Sequence, residues 1–128
     1  GDSYMAVSGI PILQSDHAKR ALEFARAVLT EMTEYETPDG EAIQFRIGLH
    51  CGPVIAGVIG ERKFIYDLWG DVVNTASRME SHGVVGQIHF SNQFHDALMQ
   101  LGSDPSIMTN RGTMEVKGKG VMQTWLTR

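Results

Sequence analysis

Tyr66-Asp67-Leu68-Trp69-Gly70-Asp71-Val72-Val73-Asn74-Thr75-Ala76, continuing into Ser77-Arg78-Met79, sets an acid, an amide and a guanidinium at fixed spacing across a strand-to-helix junction. The apolar run Phe64, Ile65, Tyr66 and Leu68 reads as a strand, and Trp69-Gly70 punctuates its end. In the helix that follows, Asn74 and Arg78 stand four apart and share a face. At about 100° per residue, Val72, Val73, Ala76 and Met79 gather on one side and Asp71, Asn74 and Arg78 on the other. The apolar side is expected to meet a core; the polar side is either solvated or meets a ligand.

The rest of the chain frames that junction. Its 128 residues, 42% hydrophobic and 20% charged, suffice for about one domain with its own core. With a net charge of −4 and no Lys/Arg block longer than Arg62-Lys63, a broad phosphate-neutralising surface for nucleic acid is excluded. Cys51 is the single cysteine, so an internal disulfide is impossible and a reducing compartment is expected. No apolar run reaches the roughly 18 residues of a membrane span. A cytoplasmic location is expected, whether for a soluble protein or for the cytoplasmic part of an anchored one.

Along the chain, Ser3 to Val7 alternates well enough for a short strand. Ser15 is the expected N-cap of a helix in which Ala18, Ala21, Leu22, Ala25, Val28, Leu29 and Met32 recur at helical spacing. Thr37-Pro38-Asp39-Gly40 reads as a turn, and Ile43, Phe45, Ile47 and Leu49 alternate with Gln44, Arg46, Gly48 and His50 in a strand. Gly52 to Gly60 is glycine-broken and expected to be a tight loop. Gln87 to Phe90 predicts a short strand, Asn92 an N-cap for a helix through Leu101, and Thr113 to Lys117 with Met122 to Thr127 a hairpin around Gly118-Lys119-Gly120.

Several familiar chemistries fail on inspection. Gly52 and Gly57 have P-loop spacing, yet Val58 stands where the phosphate lysine is required. Gly118-Lys119-Gly120 lacks the third glycine and the helix of a dinucleotide fingerprint. His17, His50, His82, His89 and His95 contain no closely spaced pair for zinc, and Ser77 sits in no nucleophile elbow. Cys51 reads as a packing residue. Three further signals are weak singly: Asp2, a turn carboxylate able to hold a hard divalent cation, and Lys117 and Lys119, able to reach an anion.

Taken in order, Gly1 to Gly9, Arg46 to Gly60, Asp67 to Glu80 and Val116 to Gly120 resemble the class III adenylate and guanylate cyclase catalytic domain. The likeness spans the whole chain and is nearest to mycobacterial-type bacterial enzymes that act as homodimers. It implies an α+β fold: a ferredoxin-like sheet with helices on one face. It also implies that residues 1–128 are the C-terminal two-thirds of one catalytic domain, without its N-terminal strand and helices. The implied reaction converts ATP to 3′,5′-cyclic AMP and pyrophosphate.

By the same resemblance Asp2 is the second of two aspartates holding two Mg2+ or Mn2+ ions. Asp67 accepts from the adenine amino group, Asn74 orients the ribose, Arg78 stabilises charge on the α-phosphate, and Lys117, or Lys119, binds the terminal phosphates. The metal side and the nucleotide side are contributed by different copies of a head-to-tail homodimer, with Phe64 to Tyr66 as an interface strand. The first metal aspartate and a base-selecting lysine belong upstream of Gly1, so these residues alone are not expected to cyclise ATP. The alternatives are a non-catalytic cyclase-like dimerisation or nucleotide-binding domain, a guanylate cyclase, and a generic ferredoxin-like module.

Overall fold

Ala18, Leu22 and Ala25 lie one and two helical turns apart, and the helix they line, α1 (His17–Met32), buries all three to within 3% of full occlusion. A computed structural model describes residues 3–10, 12–53, 55–59 and 65–128 of the protein, and for residues 54–69 the backbone alone where it is described. After α1 come β1 (Ile47–Leu49), β2 (Ile55–Ile59), β3 (Ile65–Trp69), α2 (Asp71–Ser81), β4 (Ile88–Ser91) and α3 (Asn92–Gln100). A short 3-10 turn (Pro105–Ile107) then leads into β5 (Thr109–Val116) and β6 (Gly120–Thr127).

Four strands form a mixed sheet in the order β1-β4-β6-β5, with β1 parallel to β4 and the other pairs antiparallel. β2 and β3 form a separate antiparallel ribbon in which Gly57 lies opposite Asp67. Strand alternation divides the chemistry of the main sheet between its faces. Ile47, Leu49, Ile88 and Phe90 point to one side and join Ala18, Leu22, Ala25, Phe94 and Leu98 from α1 and α3 in the core. Phe90 meets Phe94 edge to face, with ring centroids 5.6 Å apart. Each large core side chain contributes about 1.5–3 kcal/mol by leaving water.

Gly48 and His89, in register on neighbouring strands, face the opposite way, toward α2. A Cβ on Gly48 would stand 2.0 Å from the Glu80 backbone nitrogen, so α2 approaches β1 as closely as only glycine permits. The expected α+β sheet is therefore present, with α1 and α3 on one face as anticipated. α2 is the exception and packs against the other face.

Other expectations shift locally. Ser3 to Val7 is exposed and forms no strand, since it finds no ladder partner among the described residues. The Ile43 to His50 alternation holds in burial only from Ile43 to Arg46, since Ile47 to His50 are all partly buried, and pairing is confined to Ile47–Leu49. Gly52 to Gly60 contains a strand, β2: paired backbone outweighs the low strand propensity of its glycine. Asp16, not Ser15, precedes α1 and accepts from Arg20 Nε at 2.9 Å. Ser91, not Asn92, caps α3, its hydroxyl accepting from the Phe94 N–H at 3.2 Å, while Asn92 accepts from Trp125 Nε1 at 3.0 Å. The C-terminal hairpin is longer than predicted at both strands.

Candidate active site

β3 carries Asp67 toward Gly70, whose φ of 113° lets the chain turn sharply into α2. Asp71 opens the helix, where a carboxylate complements the N-terminal dipole, and Arg78 lies in its last turn, where a cation does the same. Thr75 and Met79 face the sheet and are buried; Asn74 is exposed and Arg78 partly so. The inward residue at the helix centre is Thr75, where Val72, Val73 and Ala76 were expected to dominate. Its hydroxyl is satisfied by donating to the Asp71 carbonyl at 2.9 Å.

Three contacts fix α2 in its seat. Gly48 admits the Met79–Glu80 backbone, Arg46 Nη2 pairs with Glu80 Oε2 at 3.2 Å, and the buried His89 donates from Nδ1 to the Met79 carbonyl at 2.7 Å. Among the described residues the buried Nε2 of His89 has no hydrogen-bond partner. Burial pushes the His89 imidazole below its ordinary titration range, and the nearby Arg111 and His82 add to that; the bond to Met79 opposes it. Asn74 and Arg78 thus project from a helix whose position is tightly determined.

The β5–β6 turn meets the other end of that helix. Gly118 and Gly120, at φ of 80° and 76°, shape the turn, and the Lys119 N–H donates to the Val116 carbonyl at 2.9 Å. Lys119 Nζ forms an ion pair with Asp71 Oδ2. Lys117, on the same turn, is exposed. Below them His50 shares a 2.6 Å hydrogen bond between Nδ1 and the hydroxyl of Ser91. Burial, then the Lys119 charge, hold His50 toward its neutral form.

Of the residues singled out in the sequence, Asn74 and Arg78 share α2, Asp67 lies on the strand entering it, and Lys117 lies on the turn tied to its first residue. Asp2 falls outside the described residues, as does Phe64 of the expected interface strand; for Ile65 and Tyr66 the backbone is described as part of β3. Cys51 packs against the core and donates to the Gln93 carbonyl at 3.5 Å, and burial, with Asp96 nearby, pushes its thiol up, in keeping with a packing role. A cavity of about 420 Å³ lined by Arg26, Gln87, Thr109 and Arg128 opens at the far end of β6 and includes none of the site residues. The pairing of Asp71 with Lys119 had no local sequence signal because it joins elements distant in the chain, and the anchoring by His89 had none because it depends on how α2 folds back on the strand that follows it.

Across residues 1–128 the chain matches the family model of the adenylate and guanylate cyclase catalytic domain. The chain belongs to this family. It is 46% identical over 98% of its length to an adenylate cyclase of Mycobacterium tuberculosis, covering 27% of that protein. It is 47% identical, again over 98%, to the guanylate cyclase soluble subunit beta-2 of Rattus norvegicus, covering 18% of it. The chain thus spans about a quarter or less of the curated relatives it matches. Among solved structures, it resembles the guanylate cyclase domain of RhGC from Catenaria anguillulae in complex with GTP. The TM-score is 0.83 at 41% identity, covering 94% of this chain and 64% of that one. The cyclase domain's mixed sheet with its three helices agrees with this neighbour, and relatives of both base specificities are represented.

Proposed function

We propose that this cyclase domain acts on ATP, forming 3′,5′-cyclic AMP and pyrophosphate. The observation that supports the reading is the tie between the start of α2 and the β5–β6 turn through Lys119 and Asp71: the strand that carries Asp67 leads into the helix that bears Asn74 and Arg78, and the turn beside that helix's first residue bears the exposed Lys117. In the proposed reaction the ribose 3′-oxygen, giving up its proton, attacks the α-phosphorus in line, and pyrophosphate leaves. Phosphoryl transfer of this kind depends mainly on positioning and on stabilising charge at the phosphorus, and needs no covalent nucleophile. Asn74 orients the ribose, Arg78 meets the negative charge growing on the α-phosphoryl oxygens, and Lys117 holds the terminal phosphates.

The base preference rests on Asp67. A carboxylate accepts hydrogen bonds and cannot donate when ionised, which suits the exocyclic amine of adenine and not the carbonyl of guanine. Guanylate cyclase is the second reading, favoured by the identity to the rat subunit. Two Mg2+ or Mn2+ ions are part of the proposal through Asp2, a hard oxygen donor that lies outside the described residues. Among the described residues no cluster of three or more metal-ligating side chains occurs. The partner is a second copy of the chain, arranged head to tail. Among the described residues no helix is long and apolar enough to cross a membrane, and a cytoplasmic setting is proposed.

The test compares kcat/KM for ATP and GTP in the full-length protein and its Asp67→Ala variant. The proposal expects ATP to be preferred and the preference to fall by about 10-fold or more when the acceptor is removed. A preference for GTP, or one untouched by the substitution, overturns the assignment of Asp67.

A further inference from the structure

Lys117 and Lys119 stand two residues apart on one turn, yet their surroundings differ. Lys117 is exposed, whereas the Lys119 side chain is only 26% exposed and ends on Asp71. Gly118 and Gly120 hold positive φ on either side of Lys119, and its N–H closes the turn on Val116. The turn's backbone closes at the Lys119 amide, and the Lys119–Asp71 pair braces that same residue against the start of α2.

We infer that Asp71 and Lys119 form a strut that positions the β5–β6 turn against the start of α2, so that Lys119 is a positioning residue and Lys117 is left to meet the phosphates. This inference rests on the cyclase reading and adds to it a residue, Asp71, and a division of labour between the lysines. Asp71 lies on the same stripe of α2 as Asn74 and Arg78. One end of the strut is therefore rigidly connected to the groups that hold the ribose and the α-phosphate. Its other end lies two residues from the ammonium that holds the terminal phosphates. A shift of the turn changes the distance between those two grips, and small misplacements of this kind are costly to rate.

The experiment uses the full-length protein as wild type, Asp71→Asn, Lys119→Gln, the double variant, and the reversed pair Asp71→Lys with Lys119→Asp. Cyclic nucleotide formation is measured as kcat and KM, and hydrogen exchange is followed at the Lys119 amide. The strut predicts that each single variant lowers kcat about tenfold. The double variant is no worse than either single one, because both remove the same interaction. The reversed pair recovers much of the loss, though not all, since a lysine opposes the helix dipole. Exchange at the Lys119 amide quickens in Asp71→Asn.

Lys119→Gln far more damaging than Asp71→Asn, with no recovery on reversal, would mean that Lys119 touches the substrate itself and would overturn the inference. A faster Asp71→Asn enzyme would make the pair a restraint, and unchanged kcat and exchange would make it idle; either result overturns it. Failure of the underlying cyclase reading looks different: the wild type forms no cyclic nucleotide, while amide exchange still reports whether Asp71 holds the turn.

Discussion

Arg78 shows what a single side chain is asked to do. It is partly exposed on the outer stripe of α2, in the helix's last turn, with its backbone carbonyl accepting from Ser81 Oγ at 3.2 Å and from the His82 N–H at 3.0 Å. A guanidinium in that setting is planar, always charged and matched to phosphoryl oxygens. Because its proposed partner is charge that develops only as pentavalent phosphorus forms, Arg78→Ala should reduce kcat by about 100- to 1,000-fold while KM for ATP moves little. Steady-state kinetics on the full-length protein decide this, and an equal kcat with a raised KM would make Arg78 a ground-state contact. The Asn74/Arg78 stripe was legible in the sequence because helical periodicity is local. The partnership of Asp71 with Lys119 was not, because it depends on where the fold carries a distant hairpin.

At the scale of elements, α2 is the piece on which the site depends, and its seat is polar as well as close-fitting. His89, fully buried on β4, donates to the Met79 carbonyl one residue beyond Arg78. Its folded-state titration lies below the ordinary 6.5, chiefly through burial. The folded protein therefore keeps it neutral where the unfolded chain would take up a proton. Stability is complete above the unfolded value and falls as the pH drops below it, because the unfolded state then binds more protons. His50, shifted the same way, acts in the same direction.

Denaturant unfolding followed between about pH 7.5 and about pH 5.5 should show this loss, at most about 1.4 kcal/mol per pH unit from one such group. His89→Asn retains an N–H for the Met79 carbonyl and cannot titrate, so its profile should be flatter; a slope equal to wild type contradicts the role. From α1 onward, apart from β2, strand and helix order was readable from alternation and periodicity, whereas the strand expected at Ser3 to Val7 does not form. The β2 strand was not, since Gly57 masks a stretch whose ladder with β3 is decided by pairing across the ribbon. That α2 would take the opposite face from α1 and α3 was equally hidden, resting as it does on the missing Cβ of Gly48.

For the whole molecule, α2 and the β5–β6 turn carry the groups proposed for ribose and phosphates, Asp67 lies on the strand entering α2, and Asp2 is the proposed metal ligand. In the proposed head-to-tail homodimer these two sides come from different copies, so that each of the two sites draws one half from each. The four motifs that carried the family resemblance were readable from the sequence; this division between copies is not a property of any one of them. It leads to a distinctive outcome for a mixture of two inactive proteins. A heterodimer of Asp2→Ala with Arg78→Ala contains one site with both defects and one site with neither.

Full-length Asp2→Ala and Arg78→Ala should each form almost no cyclic AMP from ATP. Mixed in equal amounts and allowed to exchange subunits, they should recover about a quarter of the wild-type rate, since half the dimers are mixed and each has one intact site. A mixture as inactive as its components, although the subunits exchange, would contradict a site shared between two copies.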